Sequence, residues 1–343
     1  MKPYVVLYND DENVRGGDHN DAVAASDAAF VAAAVAEAIA KLGPVEIVKV
    51  GDGDPEHLAR ALKAHDPRVV FNVAEAARGI PELEACIAGM LELLGVPYTG
   101  CPPQTLGLCL DKAKAKALLQ GSGIAVPRGA VLRDAARDPL DGLEYPVIVK
   151  PAAMDASHGI EPGNVVWNEQ SARDKAGELI ARFPPAALVE RFIDGREFNV
   201  SMVELEPGRP TVLPLAEIDW LTPPGVPRVL GFAAKWDETS ESYDRTPVTC
   251  PAEVSPKLAR RIGAICEAAF GAVGACDYAR VDLRVDAQER PYVIEVNPNP
   301  CISPTAGLAF SAKAAGIDYD ELIRRIVRNA ELRGARAPFA ARL

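Results

Sequence analysis

Polar and apolar positions alternate most regularly over residues 280–286 and again over 291–297. In the first run Arg280, Asp282, Arg284 and Asp286 share one face, and Val281, Leu283 and Val285 the other. In the second, Val293, Glu295 and Asn297 share a face, and Tyr292, Ile294 and Val296 its opposite. A period of two belongs to strands half buried on one side, so the pattern predicts a hairpin around a polar turn at 287–290. If Asp286 pairs with Pro291 across that turn, Asp282 stands opposite Glu295 and Arg280 opposite Asn297. Side chains opposed in this way have Cβ atoms ~4.5–5.5 Å apart, and like charges there repel. Two facing carboxylates therefore ask for a cation, and Asn297 adds an amide oxygen beside them. Oxygen donors, with no His or Cys in the stretch, suit a hard divalent ion such as Mg²⁺. Pro298 keeps Asn297 extended. The plain alternative is a solvated hairpin face with scattered charges.

The rest of the chain alternates strand and helix. Residues 3–8 predict a buried strand that opens into the acidic, glycine-containing loop DDENVRGGDHND, followed by an alanine-rich helix at 22–42 that stops at Gly43 and Pro44. A strand at 45–50, a helix at 55–64, a strand at 68–73 and a helix at 81–94 complete a parallel α/β unit, closed near residue 104. Asp111 is placed to cap a helix over 112–120, and strands at 128–132, 146–150 and 187–192 with a helix at 170–183 make a second unit. The third unit runs from 194 to 343. It holds a strand at 197–204, an irregular proline-rich segment at 207–247, a helix at 255–273, the hairpin, and helices at 307–315 and 318–333. The expected domains are thus 1–104, 105–193 and 194–343.

Composition narrows the function. A net charge of −11 over 343 residues argues against nucleic-acid binding, which needs a concentrated basic surface. Seven cysteines without a C-x-x-C pair read as free thiols in a reducing compartment. The N-terminus is too soon interrupted by Asp10, Asp11 and Glu12 to be a signal peptide, and no apolar run of ~18 residues predicts a membrane span. A cytoplasmic protein is expected, with no membrane partner and with a homodimer allowed. The sequence has no Gly-Lys pair and hence no Walker-type loop; it also lacks G-x-G-x-x-G after a strand, H-E-x-x-H and G-x-S-x-G. The four His (19, 57, 65 and 158) are dispersed. Phosphate chemistry here must use other parts.

Those parts are present. Lys150 ends the apolar strand PVIVK, and Lys112 opens a helix whose free N–H groups already favour an anion. An ammonium at each place suits phosphate oxygens, although each Lys alone also reads as a snorkelling surface residue. Ser157 and Gly159, in PAAMDASHGI, suit a loop that closes over phosphates. The run ALVERFIDGREF puts Glu190 at a strand end and Glu197 after a Gly195 turn, where backbone groups can meet a base edge and a carboxylate can take ribose hydroxyls. GFAAKWDETSESY offers Lys235 and Trp236 on a loop.

In this order the motifs resemble the ATP-grasp superfamily and, within it, the D-alanine–D-alanine ligase family. The resemblance spans roughly 68–330 and is carried most specifically by RVDLRVD, RPYVIEVNPNP with SPTAGLAFSAKAAGIDYDELI, and ELLGVPYTGCPPQTLGLCLDKAKAKALL. YPVIVKPAA, VERFIDGREFNV and AAKWDETSESY are also similar. It implies an α/β (α+β) ATP-grasp fold with an N-terminal parallel α/β pre-ATP-grasp domain, a small central lid domain and a C-terminal catalytic domain. By the same resemblance Lys112 and Lys150 hold ATP phosphates, Glu190, Arg191 and Ile193 form the hinge that reads adenine, and Glu197 takes the ribose. Lys235 and Ser157 act at the phosphates on closure, Arg280 stabilises an oxyanion, and Asp282, Glu295 and Asn297 ligate two Mg²⁺ ions, with Mn²⁺ as an alternative.

Departures fall at the substrate end. The phosphate loop reads Met154-Asp155-Ala156-Ser157-His158-Gly159 where the family has Glu-Gly-Ser-Ser-x-Gly. The carboxylate that grips the first substrate's amine has no clear counterpart, with Asp11, Glu12, Asp27 and Glu75 as candidates. Ala306 and Gly307 stand where a Ser-Leu pair binds the second substrate's carboxylate, and Ser303 or Thr305 is placed to substitute. The implied activity is an ATP-dependent carboxylate–amine ligase that joins amino-acid-like substrates through an acyl phosphate. A nucleotide-binding module without ligase activity and a small-molecule kinase are the competing readings.

Overall fold

The computed structural model describes residues 1–9, 19–51, 54–154, 159–231, 234 and 240–334, with the backbone alone for 19–27. Three sheets organise it. The first is parallel, in the order β2-β1-β3, built from β1 (Tyr4–Tyr8), β2 (Val45–Lys49) and β3 (Val70–Asn72). Its strands are joined by α1 (His19–Ala40) and α2 (Pro55–His65), and α3 (Glu84–Leu93) follows. Asp54 caps α2 by accepting from Glu56 N–H at 2.9 Å, and Pro55 sits at its first position, where a missing N–H costs nothing. The expected strand-and-helix alternation is present within one to three residues.

One helix falls where the sequence pattern predicts a boundary. α4 (Pro103–Leu110) runs across residue 104 and buries Leu106, Cys109 and Leu110. Only Asp111 separates it from α5 (Lys112–Gly121), whose N-cap is that same residue, accepting from Lys114 N–H at 3.0 Å. Two short helices in sequence carry no period long enough to separate them from a loop.

The second sheet has the order β4-β7-β5-β6, from β4 (Gly129–Leu132), β5 (Val147–Pro151), β6 (Val165–Val166) and β7 (Ala187–Arg191). α6 (Glu169–Arg182) closes its core against Val147, Val149 and Val189. The third sheet runs β11-β10-β8-β12-β13 with β9 on β8. Its members are β8 (Arg196–Glu206), β9 (Arg209–Val212), β10 (Ala216–Ile218), β11 (Val248–Thr249), β12 (Tyr278–Val285) and β13 (Pro291–Asn297). Strands β9 and β10 occupy part of the segment expected to be irregular. They are three or four residues long, β9 contains Pro210, and both are recruited by the long neighbour β8 rather than by their own pattern.

The helix Pro256–Val273 is capped by Ser255, which accepts from Leu258 N–H, and ends at Gly274 in the left-handed conformation (φ 70°). It lays Ile262, Cys266, Ala269 and Phe270 against Val281, Leu283, Val293 and Val296 of the hairpin. A separate core joins the first sheet to the end of the chain: Tyr4, Val6 and Phe71 pack with Tyr278, Leu308, Ile323 and Ile326. The helices Gly307–Ala314 and Tyr319–Arg333 thus fasten the third sheet to the first.

Candidate active site

The β12–β13 register decides where the carboxylates go. Arg280 pairs with Asn297, Val281 with Val296 and Asp282 with Glu295, as the alternation predicts. Beyond that the partners step by one, to Leu283 with Val293 and Val285 with Pro291, so the expected pairing of Asp286 with Pro291 is replaced by Val285 with Pro291. Ile294 is the extra residue of a β-bulge. A bulge lets two residues oppose one and re-aims the side chains beside it. Val293 therefore enters the core with Val296, instead of sharing the face of Glu295, and Ile294 joins Glu295 in lining a cleft.

On that face Asp282 is buried and accepts from three donors. Arg280 donates from Nε to Oδ1 at 2.7 Å and from Nη2 to Oδ2 at 2.9 Å, and Asn199 donates from Nδ2 to Oδ1 at 2.8 Å. Burial alone would lower the Arg280 pKa, but the Asp282 carboxylate outweighs it and raises the value above that of an ordinary arginine. Glu295 meets Lys112 Nζ at 3.0 Å, and the same ammonium donates to the Met154 carbonyl at 2.5 Å. Asn297 Oδ1 accepts from Asn299 N–H at 2.9 Å and, as an amide oxygen, has a second lone pair. Asn299 in turn donates to the Glu84 carboxylate at 2.8 Å and the Ala74 carbonyl at 3.2 Å, tying the end of the hairpin to the first sheet.

A second charged group lies across the cleft. Glu190, only 1 % exposed, faces Lys150 at 2.5 Å and Lys116 at 2.7 Å. Burial pushes the Glu190 carboxyl up, but the two ammonium groups together hold it below the usual range. Burial also brings Lys116 down to about 8 despite the nearby carboxylate. The Lys116–Glu190 contact is ionic and lacks the angle of a directed hydrogen bond. Lys112 and Lys116 are one helical turn apart on α5, so one face of that helix reaches Glu295 with one residue and Glu190 with the other.

The cleft brings together Lys112, Lys150, Glu190, Arg191, Ile193, Glu197, Asp282 and Glu295. Arg280 and Asn297 adjoin it through Asp282 and Glu295. Arg191 is half-buried, with its guanidinium 3.6 Å from Glu144, and its N–H donates to the Arg128 carbonyl. Glu197 is held by Arg284. Ser157, Lys235, Asp11 and Glu12 lie outside the described residues, as does the side chain of Asp27. Glu75 is exposed just past β3, and its N–H donates to Asn9 Oδ1 at 3.0 Å. Ser303 and Thr305 share a hydrogen bond of 3.2 Å.

Sequence reasoning missed Lys116, Asn199 and Arg284. The i, i+4 spacing from Lys112 signals Lys116. Asn199 and Arg284 gain their roles through the pairing of β8 with β12, Asp282 opposite Asn199 and Arg284 opposite Glu197, which no local pattern specifies. A roomier hollow of about 380 Å³ opens beside Lys63, Asp66 and Arg68. Two ion pairs border it, Lys2 with Asp66 and Arg68 with Glu331, and none of the cleft's chemistry lies there.

The arrangement suits an anionic ligand that brings a cation. Three lysines meet two carboxylates, Glu190 and Glu295, which leaves positive charge over. Asp282, Glu295 and Asn297 offer only oxygens, and carboxylates have lone pairs beyond those their present partners use, so the donor set fits a hard divalent ion. No group of three His, Cys, Asp or Glu that could hold a metal ion is gathered among the described residues.

Residues 118–328 match the family model described as the D-ala D-ala ligase C-terminus. A D-alanine–D-alanine ligase of Halorhodospira halophila is 33 % identical over 279 residues, covering 81 % of this chain and 84 % of that protein. An uncharacterized protein of Sinorhizobium fredii is 34 % identical over 276 residues, covering 80 % of this chain and 76 % of its own. Among solved structures, the Bacillus anthracis D-alanine–D-alanine ligase complexed with ATP superposes with a TM-score of 0.73 at 22 % identity, covering 96 % of this chain and 97 % of that one. The VanG D-Ala:D-Ser ligase of Enterococcus faecalis gives 0.72 at 18 % identity, covering 96 % of this chain and 100 % of its own. These two likenesses establish the α+β ATP-grasp fold.

Proposed function

The chain belongs to the D-alanine–D-alanine ligase family of ATP-grasp enzymes, and from that footing we propose that it joins two amino-acid-like substrates by an amide bond, with ATP as the energy source. The single observation that carries the reading is the convergence of Lys112, Lys150 and the opposed pair Asp282–Glu295 on one cleft. A free carboxylate is a poor electrophile, so it must first be activated. The γ-phosphoryl group of ATP passes to the carboxylate of the first substrate, giving an acyl phosphate and ADP; the amine of the second substrate then attacks, and phosphate leaves.

In this proposal Lys112 and Lys150 hold phosphate oxygens. When phosphates replace Glu190 as the partner of Lys150, Lys116 remains to neutralise that carboxylate. Glu190, Arg191 and Ile193 receive the base and Glu197 the ribose. Arg280 stands beside Asp282 and stabilises the oxyanion that forms when the amine adds. Asp282, Glu295 and Asn297 would hold divalent cations, read as two Mg²⁺ ions with Mn²⁺ able to substitute; when bound they neutralise phosphate charge. Lys235 and Ser157 are assigned to closure over the phosphates, where exclusion of water protects the acyl phosphate.

The division into an N-terminal domain 1–104, a lid 105–193 and a catalytic part 194–343 belongs to the same reading. So do a cytoplasmic location, a homodimer as an allowed assembly, and the absence of nucleic-acid and membrane partners. No described helix is long and apolar enough to cross a membrane. D-Alanine is the first substrate to test. Because Ala306 and Gly307 replace a Ser-Leu pair, the test takes D- and L-amino acids singly and in pairs, follows ADP release, and weighs the product. Dipeptide formation with equal ADP release is expected. ADP release that yields a stable phosphorylated product and no dipeptide would make the protein a kinase instead.

A further inference from the structure

Arg284 lies two residues beyond Asp282 on β12, on the face that lines the cleft, and is buried. Its Nε donates to Glu197 Oε2 at 2.9 Å, and Nη2 reaches the same oxygen. Nη1 donates to the Ile193 carbonyl at 2.9 Å, and Nη2 also reaches the carbonyl of Arg228. The guanidinium carbon is 4.9 Å from the ring centre of Phe192 and 5.6 Å from that of Trp220. One planar fork thus fixes three acceptors on three segments, a task for which a lysine ammonium has the wrong shape. All three line the cleft at the point of contact: Ile193 and Glu197 themselves, and Val229 and Leu230 next to Arg228.

Both bonds from Arg284 to Glu197 fall on Oε2, and Oε1 accepts none from the described residues. A carboxylate fixed through one oxygen, with the other unengaged at a cleft, is an acceptor oriented before its ligand arrives.

We propose that Arg284 is a positioning residue for the nucleotide: it aims Glu197 at the ribose hydroxyls and pins the cleft backbone at 193 and 228. The sugar contact is thereby tied to the strand that carries Asp282. The proposal rests on the reading of Glu197 as the ribose ligand.

The test measures dissociation constants of ATP, 2′-deoxy-ATP and 3′-deoxy-ATP by calorimetry, on the full chain with Mg²⁺, for wild type and for Glu197→Gln, Arg284→Lys, Arg284→Met and the Arg284→Met/Glu197→Gln double variant. Wild type should bind ATP roughly tenfold or more tighter than at least one deoxynucleotide, the scale of a hydrogen bond to a charged group. Glu197→Gln, Arg284→Lys and Arg284→Met should each flatten that ratio, and the double variant should flatten it no further. General damage to the cleft would weaken all three nucleotides equally and leave the ratio intact. Loss of the ratio in Glu197→Gln but not in either Arg284 variant overturns the proposal while leaving the ribose reading standing. A wild-type ratio in Glu197→Gln overturns both. If Arg284→Met does not fold, Arg284→Lys, which keeps the charge, decides.

Discussion

Two charged assemblies face each other across the cleft, and they solve opposite problems. On the hairpin, Asp282 and Glu295 come from the two strands joined by one short turn and take cations from Arg280 and Lys112. Around Glu190, itself on β7, the partners come from α5 and β5, and all three charged groups are withdrawn from water. The first assembly is built to exchange partners with a ligand. The second is held by mutual need, because a buried charge without its partner is expensive, and Lys116 keeps Glu190 paired when Lys150 turns to phosphate. α5 links them, with Lys112 on one and Lys116 on the other.

Breaking the hairpin side should cost activity and spare the fold. Asp282→Asn and Glu295→Gln keep the shape of each side chain and remove the charge that calls for a cation. Each should lower ADP release by at least about 10²-fold, the scale of a lost electrostatic contact at a reacting centre. Circular dichroism should be unchanged. Full turnover by both variants would remove the metal role from this pair.

Breaking the other side should cost stability first. Glu190→Gln leaves Lys116 and Lys150 buried together, and losing one partner of a buried pair costs about 3–5 kcal/mol, so the thermal midpoint should fall by several degrees. Lys116→Met should behave differently, since Glu190 keeps Lys150. The Lys116 pKa falls to about 8 from 10.5. Between those values the unfolded chain binds a proton that the folded chain does not, so this group's contribution to stability rises with pH. The stability of wild type relative to Lys116→Met should therefore increase from pH 8 towards 10, by at most about 1.4 kcal/mol per unit. A flat difference would contradict the assignment of that ionisation to Lys116.

The same contrast explains what the sequence disclosed. The hairpin was legible because both halves lie within 280–297 and pair locally, so a count across the turn put Asp282 opposite Glu295. It still missed the bulge: nothing in the alternation marks Ile294 as the extra residue, and the correct opposition of the carboxylates coexists with a turn pairing displaced by one. Of the buried assembly, Lys150 and the hinge Glu190 were read as separate residues, and Lys116 was missed. Their meeting depends on the antiparallel pairing of β5 with β7 and on where α5 docks, and pairing between distant segments leaves no periodic trace. For the same reason Arg284 looked like one more polar residue on a strand face. The roles of Ser157 and Lys235 were assigned by resemblance, and both residues lie outside the described ones.

The smallest effects compare the helices that support the two assemblies. Asp111 caps α5 through Lys114 N–H, and Ser255 caps the helix behind the hairpin through Leu258 N–H. Replacing either by Ala should cost about 1 kcal/mol at neutral pH, the usual price of a lost cap. The two differ in how that cost depends on pH. Burial pushes the Asp111 carboxyl up, but Lys114 and the backbone N–H groups of the first turn outweigh it and hold the pKa below its ordinary value. A carboxylate with a depressed folded-state pKa stabilises the fold above its unfolded value and loses that contribution as pH falls through the folded one. Urea titrations between pH 7 and pH 3 should therefore show the gap between wild type and Asp111→Ala narrowing as the solution turns acidic. The gap for Ser255→Ala should stay constant, because a hydroxyl does not titrate there. Parallel narrowing in both would mean that the acid response belongs to the helices as a whole and not to the charge that caps α5.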